Sequence, residues 1–249
     1  MPTMTMQSVI ERRLLVNLRV DPEVARQVVP APFTPLVRDG SAVAGICCLR
    51  LAELRPKGVS RRVGMRVESA AHRIAVEWAT ASGTRQGVYV ARRDTASRAA
   101  ALLGGRAFPG AMHRAHFTVD ESNGVAVAFG GAAGVDVAAR PTARWTSTLF
   151  ASVGEAAAFM AAGPIAYSPS ADGFSGVRLA ARSWAAEPLE LEHLRSATYD
   201  DPSAFPPGSV EFDSVMVMRG IPALWIPVGP LEAAPRAARV PGALGAGRS

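Results

Sequence analysis

The chain has 249 residues, 49% of them hydrophobic and 19% charged, a globular balance that argues against a disordered or fibrous protein. No run of about 18 uncharged apolar residues occurs, which argues against a helical membrane span. The net charge is +6 and the pI about 10.3, but the basic residues are scattered arginines in no nucleic-acid-binding motif, which disfavours a nucleic-acid partner.

The N-terminal MPTMTMQSVIERR does not read as a secretory signal, because no basic region leads into an apolar one. A strand is expected over 12–20. Asp21, Pro22 and Glu23 then form an N-cap, first position and first turn for a helix that stops before Pro30. An extended connection closes on an Asp39-Gly40 turn. The apolar run 41–54 is a strand buried on both faces near Ile46. Cys47 and Cys48 are adjacent, so on a strand they face opposite ways and do not form an ordinary bridge. That cysteine usage fits a reducing, cytoplasmic setting.

The stretch 71–117 carries most of the chemistry. His72, Ile74, Val76 and Trp78 share one face of a strand; Arg73, Ala75 and Glu77 share the other. A turn follows with Gly83 at positive φ, then a strand over about 86–92. Asp94 or Thr95 is expected to cap a short helix over about 96–103, which Gly104-Gly105 ends. A further strand is expected near 116–119, then strands over 124–129, 144–149, 188–196, 210–217 and 223–228, with a helix over 153–161. Many short strands with few helices argue for a mainly β fold, a barrel or sandwich. No linker or repeat divides the chain, so one domain over 1–232 with a mobile tail over 233–249 is expected.

Several residues read two ways. Glu77 is either a general acid or base whose pKa burial raises, or half of a cross-strand ion pair. Arg92, Arg93 and Asp94 form a solvated strand end or an anion-binding rim. Arg106 either clamps a carboxylate or caps a helix. His113 is a proton shuttle or a structural histidine. Tyr89 is core or pocket lining. Lys57, the sole lysine, sits in a basic loop and reads as solvated. No metal-ligand pattern or phosphate-binding loop occurs.

NLRVDPEVARQVVPAPFTPLVRDG (17–40), HRIAVEW, GVYVARRDT, GGRAFPGAMHRAHF and MRGIPALWIPVGPLEA (218–233) together resemble the acetoacetate-decarboxylase-like superfamily, closest to its domain-of-unknown-function branch. The resemblance implies a mainly β fold: a curved, barrel- or cone-like antiparallel sheet around a central pocket, with a few short outer helices. Members with decarboxylase activity use a Schiff-base lysine that follows a proline soon after a Gly-Arg pair. Here Gly105-Arg106 and Pro109 are present, but the matching place is Gly110 or Ala111. Imine chemistry is therefore not expected. Arg12 or Arg13 falls where the superfamily has an N-terminal arginine, and Glu77 near its pocket glutamates. The implied protein binds a small acidic or oxo-functional ligand, with Arg73, Arg92, Arg106, His72 and Tyr89 at the ligand and Glu77 or His113 carrying protons. It needs no cofactor or metal and leaves a homo-oligomer open. As an enzyme it would perform lysine-free acid–base chemistry on a keto acid or polyketide-like compound. A non-catalytic binding protein on the same fold is the alternative.

Overall fold

The computed structural model describes residues 4–103, 108, 110–171, 173–229 and 231. Among these, β1 (Met6–Val20) leads into α1 (Pro22–Val28), the short β2 (Thr34–Pro35) and β3 (Val37–Arg38), and the long β4 (Ser41–Pro56). A hairpin joins β5 (Met65–Thr80) to β6 (Gly83–Thr95), followed by α2 (Arg98–Leu103), β7 (Met112–Arg114), β8 (Phe117–Asp120), β9 (Val125–Phe129) and β10 (Val135–Pro141). The chain continues through α3 (Val153–Ala162), β11 (Ile165–Ser170), β12 (Gly173–Ala181), β13 (Glu187–Ser196) and the 19-residue β14 (Val210–Val228). No helix of the described residues is long and apolar enough to cross a membrane.

Local chemistry accounts for the element ends. Asp21 Oδ1 accepts from the Glu23 N–H at 2.7 Å, and Pro22 opens the helix where its missing N–H costs nothing. Asp39 (φ 47°) and Gly40 (φ 79°) make the turn between β3 and β4. Gly83 takes φ 119° at the turn between β5 and β6.

The strands pair in the order β1, β4, β5, β6, β11, β12, β14, and β14 pairs back onto β1, closing a ring. The first half of β14 also pairs with β13, which continues through β10, β9 and β8 as an outer layer. The sheet is curved as expected, but it is mixed rather than wholly antiparallel: β6 pairs in parallel with β11 and with β7. Both contacts follow helix-bearing crossovers, the connection that parallel pairing requires. One face of the ring packs a cluster including Leu14, Val16, Ile46 and Val76 against Val127 and Val137 of the outer layer. The other packs Leu15, Val43, Leu179 and Trp225 with Phe150 and Met160. Cys47 and Cys48, both free, fall into these two different clusters, as strand alternation requires.

Three expectations are corrected. Residues 144–149 are not a strand. Their backbone instead wraps the buried Asp213, whose Oδ1 accepts from the Thr148 and Leu149 N–H groups at 2.8 and 3.0 Å. The strand of this region is β10, hidden in the sequence by alanines and glycines. The cap of α2 is Ser97, whose Oγ accepts from the Ala100 N–H at 3.1 Å, while Asp94 and Thr95 finish β6. The two late strands expected at 210–217 and 223–228 are one strand, bent at Gly220 (φ 65°). The expected tail over 233–249 lies outside the described residues, as do Gly104, Gly105, Arg106 and Pro109.

Candidate functional site: a cationic cavity inside the ring

Side chains from β1, β4, β5, β6, β11, β12 and β14 converge on a cavity of about 80 Å³ inside the ring, with Phe159 and Met160 of α3 at its edge. A single water needs roughly 10–15 Å³ on this measure, so the space suits a small organic molecule or several waters. The walls are mostly apolar, including Leu49, Val88, Val90, Leu179 and Trp225. The titratable groups among the described lining residues are Arg13, Arg73, Arg93 and Cys47; there is no Asp or Glu.

Each arginine is held at one end and open at the other. Arg73, 3% exposed, donates through Nη2 to Asn17 Oδ1 at 2.6 Å. Its Nε and Nη1 are buried without a hydrogen-bond partner among the described residues. Asn17 is fixed in turn by donating to Ser214 Oγ at 3.1 Å. Arg93 donates from Nε to Ser168 Oγ at 3.3 Å, and its buried Nη2 has no partner among the described residues. Arg13 lies 5.1 Å over the Trp184 ring and donates from Nε to Cys47 Sγ at 3.4 Å, and its Nη1 has no partner among the described residues. Burial pushes the pKa of Arg73 and of Arg93 down to about 10, which still leaves both charged near neutral pH. A buried cation without a counter-charge is costly, and an anion is the natural complement.

Gly45 on β4 makes the placement of Arg73 possible. It is registered between Asn17 and Arg73, and a Cβ there would meet the Val16 carbonyl oxygen at 2.1 Å and Arg73 Nη2 at 3.2 Å. The guanidinium crosses the strand through the space that a side chain would fill.

The structure separates the residues expected at the site. Arg73 lines the cavity. His72 and Tyr89 lie on the opposite face of the sheet, around a second pocket with Ile74, Tyr199 and Phe205. Arg92 also turns away from the cavity, donating to Asp94 at 3.0–3.2 Å. A bulge explains this: His72 pairs with Arg92 but Arg73 with Val90, so Ala91 is extra. The alternation shifts by one, and Arg93 takes the inward position that an unbroken strand would give Arg92. Glu77 is half-buried near the end of β5, opposite Thr34 and Gln86, and does not line the cavity. His113 is exposed on β7. Arg106 is outside the described residues. From sequence, Arg93 reads only as one side of a rim with Arg92 and Asp94, Arg13 only as an alternative to Arg12, and Cys47 not as a site residue at all. The neighbouring arginines of each Arg-Arg pair could not be told apart without the bulges.

His72 makes its own pH-dependent contribution. Burial, opposed by Asp94 and reinforced by Arg92, pushes its pKa down from 6.5 to about 4. Its Nε2 is 3.4 Å from Ser196 Oγ, and Nδ1 has no partner among the described residues. The unfolded chain binds this proton near pH 6.5 and the folded one only near 4. The histidine therefore contributes stability above the unfolded value, and that contribution is lost as pH falls through this window. The loss is expected to be on the order of 3 kcal/mol. Urea unfolding of wild type and His72→Gln at pH 7 and pH 4 checks this: the variant should lose less stability than wild type, and equal losses would remove the assignment.

The closed ring of strands is shared with solved structures of the acetoacetate-decarboxylase-like fold. The acetoacetate decarboxylase of Legionella pneumophila matches with a TM-score of 0.59 at 15% identity, covering 92% of this chain and 86% of that one. The enduracididine biosynthesis enzyme MppR, solved with pyruvate, matches with a TM-score of 0.55 at 12% identity, covering 90% and 89%. An acetoacetate decarboxylase-like enzyme from Sphingomonas wittichii RW1 matches with a TM-score of 0.54 at 14% identity, covering 94% and 95%. Within that superfamily the chain belongs to the family DUF2071, described as an uncharacterized conserved protein, which matches residues 8–216. No curated protein matches it.

Proposed function

We propose that the ring cavity binds a small oxo acid and that the protein is a lysine-independent enzyme acting on it. The observation that carries this reading is the convergence of Arg13, Arg73 and Arg93 on one cavity with no acidic residue among its described lining. A carboxylate held between Arg73 and Arg93 would meet their N–H groups that have no partner among the described residues, and would offset the cost of their burial. The apolar remainder of the wall suits a short carbon chain. Lys57, the only lysine, is exposed in the loop after β4 and lines no part of this cavity. Two of the structural neighbours carry the name of a decarboxylase or a decarboxylase-like enzyme, and a third was solved with pyruvate. Glu77 and His113 have no part in binding on this reading, because neither lines the cavity. A second reading, a binding protein without turnover, is favoured by the lack of a carboxyl or imidazole among the described lining residues. Turnover of a bound oxo acid would remove it.

Calorimetric titration tests the reading. Pyruvate is expected to bind and neutral acetone is not. Arg73→Met and Arg93→Met should each weaken pyruvate binding roughly tenfold to a hundredfold, the range for one hydrogen bond to a charged group. Unchanged affinity in both variants, or acetone binding as tightly as pyruvate, would overturn it.

A further inference from the structure

We propose that Cys47 is the nucleophile of the cavity, adding through its thiol to the carbonyl carbon of the oxo acid that the arginines hold. The inference rests on the anion-binding reading above and assigns the covalent partner within that site.

Cys47 is the one nucleophilic side chain among the described lining residues. It is 4% exposed, and its sulfur accepts from Arg13 Nε at 3.4 Å. Arg73 and Arg93 line the same cavity as Cys47. Sulfur attacks as thiolate, and the negative charge that develops on it during attack meets these three cations. The independent sign of a ligand is Arg73, which is 3% exposed and lines the same cavity with two N–H groups unpartnered among the described residues. A carboxylate there places the adjoining carbonyl within the small space that Cys47 also borders.

The next residue supplies the contrast. Cys48 points through the opposite face into the apolar cluster of Leu14 and Ile46, and burial pushes its thiol up to about 12. Two adjacent cysteines thus occupy a cationic cavity and a dry core. In the proposed step the S–C bond forms and the carbonyl π bond opens. The thiol proton ends on the former carbonyl oxygen, giving a hemithioketal without oxidant, reductant or co-reactant.

The test uses the full chain and two alkylating reagents, anionic iodoacetate and neutral iodoacetamide, with rates normalised to free cysteine and sites assigned by peptide mass spectrometry. Cys47 is expected to react at least tenfold faster than Cys48 and to prefer iodoacetate over iodoacetamide by a similar factor. Arg73→Met, or Arg93→Met where the first fails to fold, should abolish the preference and leave the reaction with iodoacetamide. In parallel, pyruvate labelled with carbon-13 at its ketone should show a tetrahedral carbon by NMR with wild type and lose it with Cys47→Ala. Reactivity at Cys47 no greater than at Cys48 overturns the proposal and leaves the arginine site standing. So does an unchanged ketone carbon, or a tetrahedral carbon that persists in Cys47→Ala. A reactive Cys47 with no preference for the anionic reagent overturns the arginine reading, and the proposal with it.

Discussion

Replacing Glu68 by glutamine is expected to destabilise the fold by about 3–5 kcal/mol, the cost of leaving a buried charge unpaired. Arg219, Arg12, Arg50 and Glu68 occupy directly registered positions across β14, β1, β4 and β5. Arg12 is 1% exposed, and its close partner is Glu68, at 2.6 Å. Glu121, in the turn between β8 and β9, stands farther from it at 3.7 Å. Arg50 bonds both glutamates, and Arg219 bonds Glu121 at 2.9 Å, so three cations share two carboxylates. Removing the charge of Glu68 leaves the buried Arg12 with only the more distant Glu121 among the described residues. Adding Arg12→Met to that variant removes the buried charge and keeps most of the side-chain volume. The double variant should therefore recover at least half of the loss, read as the urea midpoint at unchanged slope. A double variant less stable than Glu68→Gln would show that the cost lies in packing rather than charge.

Gly45→Ala is expected to cost about 3 kcal/mol, at the upper end for forcing an extra methyl into a packed interior. The obstacle is backbone: the new Cβ would stand 2.1 Å from the Val16 carbonyl oxygen, so β1 and β4 must part. The site is also pinned from outside. The Tyr199 hydroxyl accepts from the Gly45 N–H at 3.3 Å and donates to the Arg73 carbonyl at 2.8 Å, which ties β4, β5 and the segment after β13 to one atom. Any shift of Gly45 is passed to Arg73, whose Nη2 lies 3.2 Å from the added carbon. The variant should show a lowered Tm and weakened pyruvate binding together. A lowered Tm with intact binding would mean that Arg73 reaches Asn17 by another route.

Much of the fold is legible in the sequence because alternation and capping are local. The Asp21-Pro22-Glu23 helix start, the Asp39-Gly40 turn, the doubly buried run around Ile46 and the opposed cysteines all follow from rules that span a few residues. The cationic site is less legible because it depends on events that break those rules. Strand alternation extended inward from Val88 and Val90 selects Arg92, and the extra residue at Ala91 delivers Arg93 instead. Register shifts in β1 likewise decide that Arg13 enters the cavity and Arg12 the ion network. Glu77 carries the right chemistry on the face that Arg73 shares. It is nevertheless not among the lining residues, although Ala75 two residues before it and its register partner Gln86 are. β10 escaped notice because its inward residues Val135, Val137 and Ala139 are too small to stand out beside the glycine-rich turn before them.

The bend at Gly220 divides β14 between two neighbours: residues before it pair with β13 of the outer layer, and residues after it with β12. The same backbone is hydrogen-bonded to β1 along almost its whole length. One strand thus works as a shared spine. Neither wall can be shed or duplicated on its own without opening the other, so variation that reshapes the cavity has to enter through side chains and bulges rather than through exchange of whole strands.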